Sequence, residues 1–253
     1  MAEIKIYHLY PGHLNLYGDR GNMLALCCRA NWRGIDVEII PVEPGDKINF
    51  SRCDLLFMGG GQDSDQKLIA EDLKGRSQDM RRAVEEGMVI FAVCGSYQLL
   101  GLYYTTNRGE KIGGLEIVDL YTEAGQKRLI GNAVIKCSLW DPARTLVGFE
   151  NHAGKTYLGS SLQPLGTVIA GYGNNGTDKT EGAVYKNLIG TYLHGSLLPK
   201  NPWLADYLLQ RALDYRDQDY HFTDLDDKLE QQAHDAAIRL AGSRRYKRMA
   251  TRA

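Results

Sequence analysis

The feature that most constrains the fold is the alternation of short apolar runs with helix-like segments over the first hundred residues. Apolar runs predict strands at residues 4–10, 35–42, 54–58 and 88–93. The last two runs are almost continuously apolar, which is typical of strands that a sheet buries on both faces. Strands that alternate with helices favour an α/β fold, in which a mostly parallel central sheet carries helices on both faces.

The rest of the chain completes this prediction with a β-rich second half. Helices are predicted over 22–32, from about 64 to 86 with a break near Gly75, and over 96–104. The segment 115–198 is rich in Gly, Thr, Tyr and Val, and it predicts strands at 129–138, 147–152, 166–172 and 188–194. Two more helices are expected over 202–215, capped by Asn201, and over 225–240.

Composition excludes several classes of protein. The chain has 253 residues and a formal net charge of −1, so it can bury a large core and has no overall attraction to nucleic acid or membranes. It shows no signal peptide and no apolar stretch of the roughly 18 residues that a membrane span needs, which favours a cytoplasmic protein. The five cysteines lack a C-x-x-C pair, so free thiols and no metal site are expected. A basic stretch at 244–252 is interpreted as a solvated tail, with contact to an acidic partner or membrane surface as the alternative.

A cysteine stands where one of the buried strands ends. The strand over 88–93 runs directly into Cys94 and Gly95, and a helix is predicted from the next residue. A sharp turn of this kind lifts its apex side chain out of the sheet, and the helix N-terminus favours a thiolate there. The amide of Gly95 would point to where an oxyanion forms when the thiolate attacks a carbonyl. Cys94 is therefore the candidate nucleophile, although cysteines commonly only pack, as we expect of Cys27, Cys28, Cys53 and Cys137.

A glycine run ends the strand over 54–58. Gly59, Gly60 and Gly61 allow backbone amides to come close to a substrate, and Gln62 follows them. The run is not a phosphate loop, because the G-x-x-x-x-G-K-[ST] pattern is absent. We interpret it as the source of a second oxyanion donor, with an ordinary turn as the alternative.

A nucleophilic cysteine needs a base positioned beside it. His194 ends the strand predicted over 188–194 and is followed by Gly195, so it is expected at the same edge of the sheet as the cysteine. His152 is the rival candidate. His221 and His234 lie in the polar C-terminal region and are expected to face solvent.

Arg128 is the candidate for recognition of a substrate carboxylate. It follows a predicted loop at 125–127 and starts a predicted strand. The planar guanidinium suits an α-carboxylate, and an ordinary surface ion pair is the alternative.

Together these residues resemble the class I glutamine amidotransferases of the CobB/CobQ-like group. The stretches that carry the resemblance are 17–22, 59–63, 127–131, 148–152 and 192–195. The resemblance spans roughly residues 4 to 215. It implies an amidotransferase domain over 1–215, followed by a C-terminal helix and basic tail over 216–253.

The resemblance also implies roles for individual residues. Cys94 would be the nucleophile and His194 the base, with no cofactor or metal. The substrate-binding groups would be the oxyanion amides of Gly60 and Gly95, together with Arg128 and Gln62 in the pocket.

This chain departs from the family pattern at two places. Many class I enzymes have glycines two residues before and two residues after the nucleophile, where this chain has Ala92 and Ser96. Many also have a carboxylate two residues after the base, where this chain has Ser196. The imidazole therefore lacks its expected orienting acid. We hypothesise that Glu150, or a carboxylate of a partner subunit, fills this role.

The function implied by the resemblance is that of a glutaminase subunit, which hydrolyses L-glutamine and passes ammonia to a partner. Within the group, the chain is most similar to subunits that form a heterodimer with a MurT-like, ATP-dependent Mur ligase, which amidates the D-glutamate of lipid II in peptidoglycan synthesis. The chain has no Walker loop, so the acceptor chemistry is expected on that partner.

Other functions remain open from the sequence. One is a stand-alone cysteine amidase or peptidase, and another is a subunit that serves a different acceptor, such as a cobyric-acid-type precursor. A non-catalytic member that only binds a ligand is a third. A nucleotide-binding protein is disfavoured, because G-x-G-x-x-G is missing.

Overall fold

The computed structural model describes residues 2–15, 18–61, 63–106 and 108–242. The helices in these ranges are α1 (Arg20–Asn31), α2 (Asp63–Lys74), α3 (Ser77–Glu86), α4 (Gly95–Leu99), α5 (Pro202–Tyr215) and α6 (Lys228–Gly242). The strands are β1 (Glu3–Leu9), β2 (Asp36–Val42), β3 (Leu55–Met58), β4 (Val89–Val93), β5 (Tyr103–Thr105), β6 (Lys111–Gly113), β7 (Leu120–Cys137), β8 (Thr145–Leu158), β9 (Gly166–Ala170), β10 (Thr180–Glu181), β11 (Ala183–Tyr185) and β12 (Leu188–Thr191).

The first sheet contains the strands that the alternating pattern predicted. Its order in the described chain is β11-β12-β4-β3-β1-β2, and its neighbours are parallel except for the pair of β11 with β12. β3 and β4 are buried along their whole length. α5 packs against α1 and against β1, β3 and β4, whereas α2 packs against α4. The α/β prediction is confirmed, and the carboxyl ends of β1, β3, β4 and β12 meet at one edge.

The β-rich second half forms a second sheet. Its order in the described chain is β10-β9-β7-β5-β6, and β8 pairs with β7 in a long antiparallel hairpin. α6 covers part of this sheet through a small apolar cluster of Val134, Val147 and Ala241. The first sheet and its helices hold the large core.

The helix predicted over 96–104 is wrong in its second half. α4 ends at Leu99, and the chain then forms β5, which pairs with β6 and β7. Gly101 explains the break, because a Cβ there would lie 2.6 Å from the carbonyl oxygen of Leu120. The aromatic and β-branched residues that follow Gly101 favour a strand.

The predicted strands at 129–138 and 147–152 are parts of longer ones. β7 has 18 residues and β8 has 14. The segment 125–127, predicted as a loop, lies instead within β7, where the register with β8 shifts between Ala124 and Leu129. Such a bulge accommodates extra residues without ending the strand. Arg128 therefore lies at a bulge rather than at the start of a strand.

The side chain of Asn201 does not cap α5 as predicted. Its Nδ2 donates to the carbonyl oxygens of Val147 and Leu197, and its Oδ1 accepts from the amide of Val147 at 2.9 Å. These bonds satisfy the buried amide group more completely than one cap bond could. They also tie the start of α5 to β8.

The expectation for His234 is wrong as well. His234 is buried, and its two ring nitrogens are satisfied by the hydroxyl of Thr145 and the carbonyl of Lys200. His221, in contrast, is 96% exposed in its side chain, as expected.

α1 begins two residues before its predicted start, and Cys28 on it does not pack as expected. Leu24 is 55% exposed and Cys28 is exposed, whereas Met23, Leu26 and Ala30 face the core. Cys53 and Cys137 are buried, as expected of packing residues.

No helix in the described part of the chain combines the length and apolarity needed to cross a membrane. The basic stretch at 244–252 lies outside the described residues.

Candidate active site

Cys94 lies at the apex of the turn between β4 and α4. Its backbone has φ 54° and ψ −111°, a left-handed conformation that residues other than glycine rarely adopt. The amide of Cys94 donates to the carbonyl of Thr191 at 2.8 Å, and its carbonyl accepts from the amide of Gln98 at 3.0 Å. β12 and α4 therefore both hold the turn. Cys94 itself carries the strain of the elbow. The residue is buried, with 9% of its surface exposed.

His194 is held by the second sheet rather than by β12. β12 ends at Thr191 because the next amide, that of Tyr192, donates to the carboxylate of Glu181 at 2.7 Å. His194 then forms an isolated bridge with Phe149 of β8: its amide donates to the Phe149 carbonyl at 2.7 Å. The strand predicted over 188–194 is thus shorter than expected, and both sheets contribute to the site.

The structure brings Cys94 and His194 together next to Gly60. A Cβ placed on Gly60 would lie 2.8 Å from Cε1 of His194 and 3.6 Å from Cβ of Cys94. Burial opposes a charged imidazolium, yet the charge of the Cys94 thiolate and the contact with Asp19 raise the pKa of His194 to about 10. A protonated imidazole beside the sulfur is the arrangement that activates a cysteine nucleophile.

Asp19 is a residue of the site that the sequence reasoning missed. It is fully buried just before α1, and its Oδ2 accepts a hydrogen bond from the amide of Gly60 at 2.6 Å. Its Oδ1 lies 3.7 Å from Nδ1 of His194, which is an ion-pair distance but too long for a hydrogen bond. The stretch 17–22 supported the family resemblance, but no role was assigned to its aspartate.

Ser196 holds the segment that carries Asp19. The Ser196 hydroxyl donates to the carbonyl of Gly18 at 2.8 Å, and the amide of Leu198 donates to Oδ1 of Asn22 at 2.9 Å. These bonds join the start of α1 to the chain that follows His194. Ser196, at the position where the family pattern expects a carboxylate, thus fixes the segment that brings the carboxylate of Asp19 to the imidazole of His194.

Glu150 is engaged away from the imidazole. Its two carboxylate oxygens accept hydrogen bonds from the amides of Tyr172 at 2.6 Å and Gly173 at 2.8 Å. Burial raises the pKa of Glu150 to about 7. The carboxylate that the structure places at ion-pair distance from His194 is that of Asp19. These contacts do not support the hypothesis that Glu150 orients the base.

His152, the rival base, is a buried packing residue. Its ring stacks on Tyr192 with 3.6 Å between ring centroids, and its Nδ1 bonds to the carbonyl of Gly154 at 2.7 Å. Burial lowers the pKa of His152 to about 4, so the ring stays neutral. The imidazole that interacts with Cys94 is that of His194.

The glycine run and the elbow are joined directly. The buried hydroxyl of Ser96 donates to the carbonyl of Gly59 at 2.5 Å, so the serine that replaces a family glycine binds the two segments together. A Cβ on Gly59 would lie 2.2 Å from the carbonyl oxygen of Leu14, which excludes a larger residue there. Gly95 begins α4, where the first amides of a helix lack partners within the helix.

Arg128 lies at the bulge of β7, beside β8. Its Nε and Nη2 donate to the side chain and the carbonyl of Asn151, both at 2.8 Å. The guanidinium is exposed and close enough to His152 to lower the pKa of that ring further. It is therefore accessible to a substrate carboxylate. Gln62, the other predicted pocket residue, lies outside the described residues.

The chain matches known glutamine amidotransferases along most of its length. The model of the CobB/CobQ-like glutamine amidotransferase domain matches residues 5–202. The chain is 42% identical over 248 residues to the lipid II isoglutaminyl synthase (glutamine-hydrolyzing) subunit GatD of Staphylococcus aureus (strain N315), which covers 98% of this chain and 100% of that protein. It is 40% identical over 212 residues to the subunit of the same name from Streptococcus pneumoniae (strain ATCC BAA-255 / R6), with 83% of this chain and 81% of that protein covered.

The fold is also similar to solved structures. A crystal structure of a glutamine amidotransferase superimposes with a TM-score of 0.57, covering 81% of this chain and 98% of that one. The sequences are only 16% identical, so this similarity concerns the fold alone.

Proposed function

The chain belongs to the CobB/CobQ-like glutamine amidotransferase family, and from this membership we propose that it is the glutamine-hydrolysing subunit of a lipid II isoglutaminyl synthase. The observation that carries the proposal is the strained Cys94 beside His194, at the edge where the parallel strands end. In open α/β sheets this edge is where ligands bind.

The geometry supports the following mechanism. The Cys94 sulfur attacks the side-chain amide carbon of glutamine, so that a C–S bond forms and the C=O electron pair moves to the oxygen. The amides of Gly95 and Gly60 stabilise this oxyanion. The imidazolium of His194 then gives its proton to the departing nitrogen, and ammonia leaves a γ-glutamyl thioester. His194 next removes a proton from water, which attacks the thioester and releases glutamate.

The ammonia is consumed on a second protein. The relatives from Staphylococcus aureus and Streptococcus pneumoniae are both named as subunits. We assign the partner as a MurT-like, ATP-dependent ligase in the cytoplasm, which amidates the D-glutamate of lipid II. Arg128 would bind the α-carboxylate of glutamine through the planar guanidinium.

The experiment combines a pull-down from native cytosol with a glutaminase assay. An ATP-dependent ligase should be recovered with the tagged chain, and the pair should release glutamate and ammonia from glutamine. Cys94→Ala should reduce the rate on the order of 10³-fold or more. Cys28→Ala, which removes an exposed thiol on α1, is the matched control and should keep the wild-type rate. Full amidase activity without any partner would favour a stand-alone hydrolase instead.

A further inference from the structure

Asp19 accepts the hydrogen bond of a backbone amide that the proposed reaction needs. Its Oδ2 accepts the hydrogen bond of the Gly60 amide at 2.6 Å, and Gly60 is one of the two proposed oxyanion donors. A backbone amide has a single N–H, so a carboxylate that accepts from it competes with the oxyanion. On the basis of the proposed function, we infer that Asp19 is a positioning residue that closes the oxyanion site and must release the Gly60 amide before the tetrahedral intermediate can form.

The surroundings of Asp19 hold its carboxylate in contact with the Gly60 amide. The carboxylate is fully buried, so bulk water cannot replace the Gly60 amide as its hydrogen-bond partner. A buried carboxylate is expensive unless it is hydrogen-bonded or paired, and here the amide and the imidazole both serve. The Asp19 segment cannot withdraw freely, because Ser196 and Leu198 bind its two sides.

His194 offers the place to which the carboxylate can move. Oδ1 of Asp19 now lies 3.7 Å from Nδ1 of the imidazole, about 0.8 Å beyond the usual length of such a hydrogen bond. A small rotation of the side chain can therefore exchange the amide for the imidazole. In the new position, Asp19 orients the ring and stabilises the imidazolium, as the acid of a catalytic triad does.

The exchange couples two requirements of the reaction to one side chain. While Asp19 holds the Gly60 amide, the oxyanion has only the amide of Gly95 as a donor, and Asp19 stays at ion-pair distance from the imidazole. Once the carboxylate moves, the Gly60 amide is available to the oxyanion and Asp19 lies closer to the imidazole. Glutamine that enters the closed form is therefore hydrolysed slowly, and whatever favours the moved position of Asp19 accelerates the reaction.

The test compares two thiol reagents on the full chain. The first is a chloroketone analogue of glutamine, whose carbonyl oxygen takes the place of the oxyanion. The second is iodoacetamide, which needs only the Cys94 thiolate and no oxyanion site. The ratio of their rate constants at Cys94, read by mass spectrometry, isolates the oxyanion site from the reactivity of the thiol.

Asp19→Ala frees the Gly60 amide and should raise this ratio about tenfold or more, even though loss of the carboxylate beside His194 slows both reagents. Asp19→Asn keeps a neutral acceptor and should raise it about two- to fivefold, since neutral hydrogen bonds are weaker than charge-assisted ones. Asp36→Ala is the control, because this exposed carboxylate begins β2 at the opposite edge of the sheet.

An unchanged or lower ratio in Asp19→Ala overturns the inference. If that variant does not fold, as judged by circular dichroism, Asp19→Asn decides in the same way. If the chloroketone labels Cys94 in no variant, or if glutamine does not protect Cys94 from it, the proposed function is overturned and this inference with it. Labelling that glutamine prevents, at an unchanged ratio, overturns this inference alone.

Discussion

Replacement of Gly60 by alanine should disable the site while leaving the fold intact. The new Cβ would lie 2.8 Å from Cε1 of His194, 3.2 Å from Oδ2 of Asp19 and 3.6 Å from Cβ of Cys94. The first distance is closer than van der Waals contact allows, so the imidazole and the glycine run must separate by several tenths of an ångström. Overpacking of this kind costs about 1–3 kcal/mol of stability.

The effect on catalysis should be much larger than the effect on stability. A displaced Gly60 amide no longer reaches the oxyanion, and loss of one such donor lowers kcat on the order of 10²–10³-fold. Glutamate release is measured with the partner present, and thermal unfolding is measured on the same samples. Gly75→Ala is the control, because its Cβ would meet nothing within 4 Å. A Gly60→Ala protein with near wild-type kcat would refute the placement of this amide in the reaction.

Three further predictions follow from single contacts. Ser196→Ala removes the hydrogen bond to Gly18 and should lower the thermal midpoint by roughly 2–4 °C, because such a bond contributes about 1 kcal/mol; an unchanged midpoint contradicts the anchoring role. Arg128→Ala should raise KM for glutamine about tenfold or more with a smaller change in kcat, and steady-state kinetics with unaltered KM would exclude the carboxylate contact. Burial raises the pKa of Glu181 to about 8 from 4.5, so the folded protein keeps a proton that the unfolded chain has lost. The free energy of unfolding should therefore fall as the pH rises from 4.5 to 8, and Glu181→Gln should make it depend less on pH in this range. An equally steep fall in the variant contradicts the raised pKa of Glu181.

The sequence predicted the first sheet well because its strands are buried on both faces. Runs such as β3 and β4 are apolar at each position and end in glycine or cysteine, so pattern and structure agree. The second half was predicted less accurately, because its hairpin is only half buried and its bulge contains polar residues. The helix beyond Leu99 failed because the close approach of Gly101 to Leu120 is a tertiary contact that no local pattern reveals.

The site shows the same division. Cys94 and His194 were recognisable because each follows a strand and stands beside a glycine. Asp19 was not, since it lies in a loop 75 positions before the cysteine, and only the folded chain brings its carboxylate to Gly60. Glu150 was one candidate for the acid that orients His194, but its two oxygens accept hydrogen bonds from backbone amides of the segment after β9, a long-range contact that the sequence does not reveal.

The measurement that tests the mechanism most directly is the trapping of the γ-glutamyl thioester. The chain and its partner are mixed with isotope-labelled glutamine, quenched in acid and digested, and the peptides are analysed by mass spectrometry. We predict the label on the peptide that contains Cys94, with neither label nor ammonia release in Cys94→Ala. Ammonia release at the wild-type rate by Cys94→Ala, or a label on a different cysteine, would contradict the assignment of Cys94 as the nucleophile.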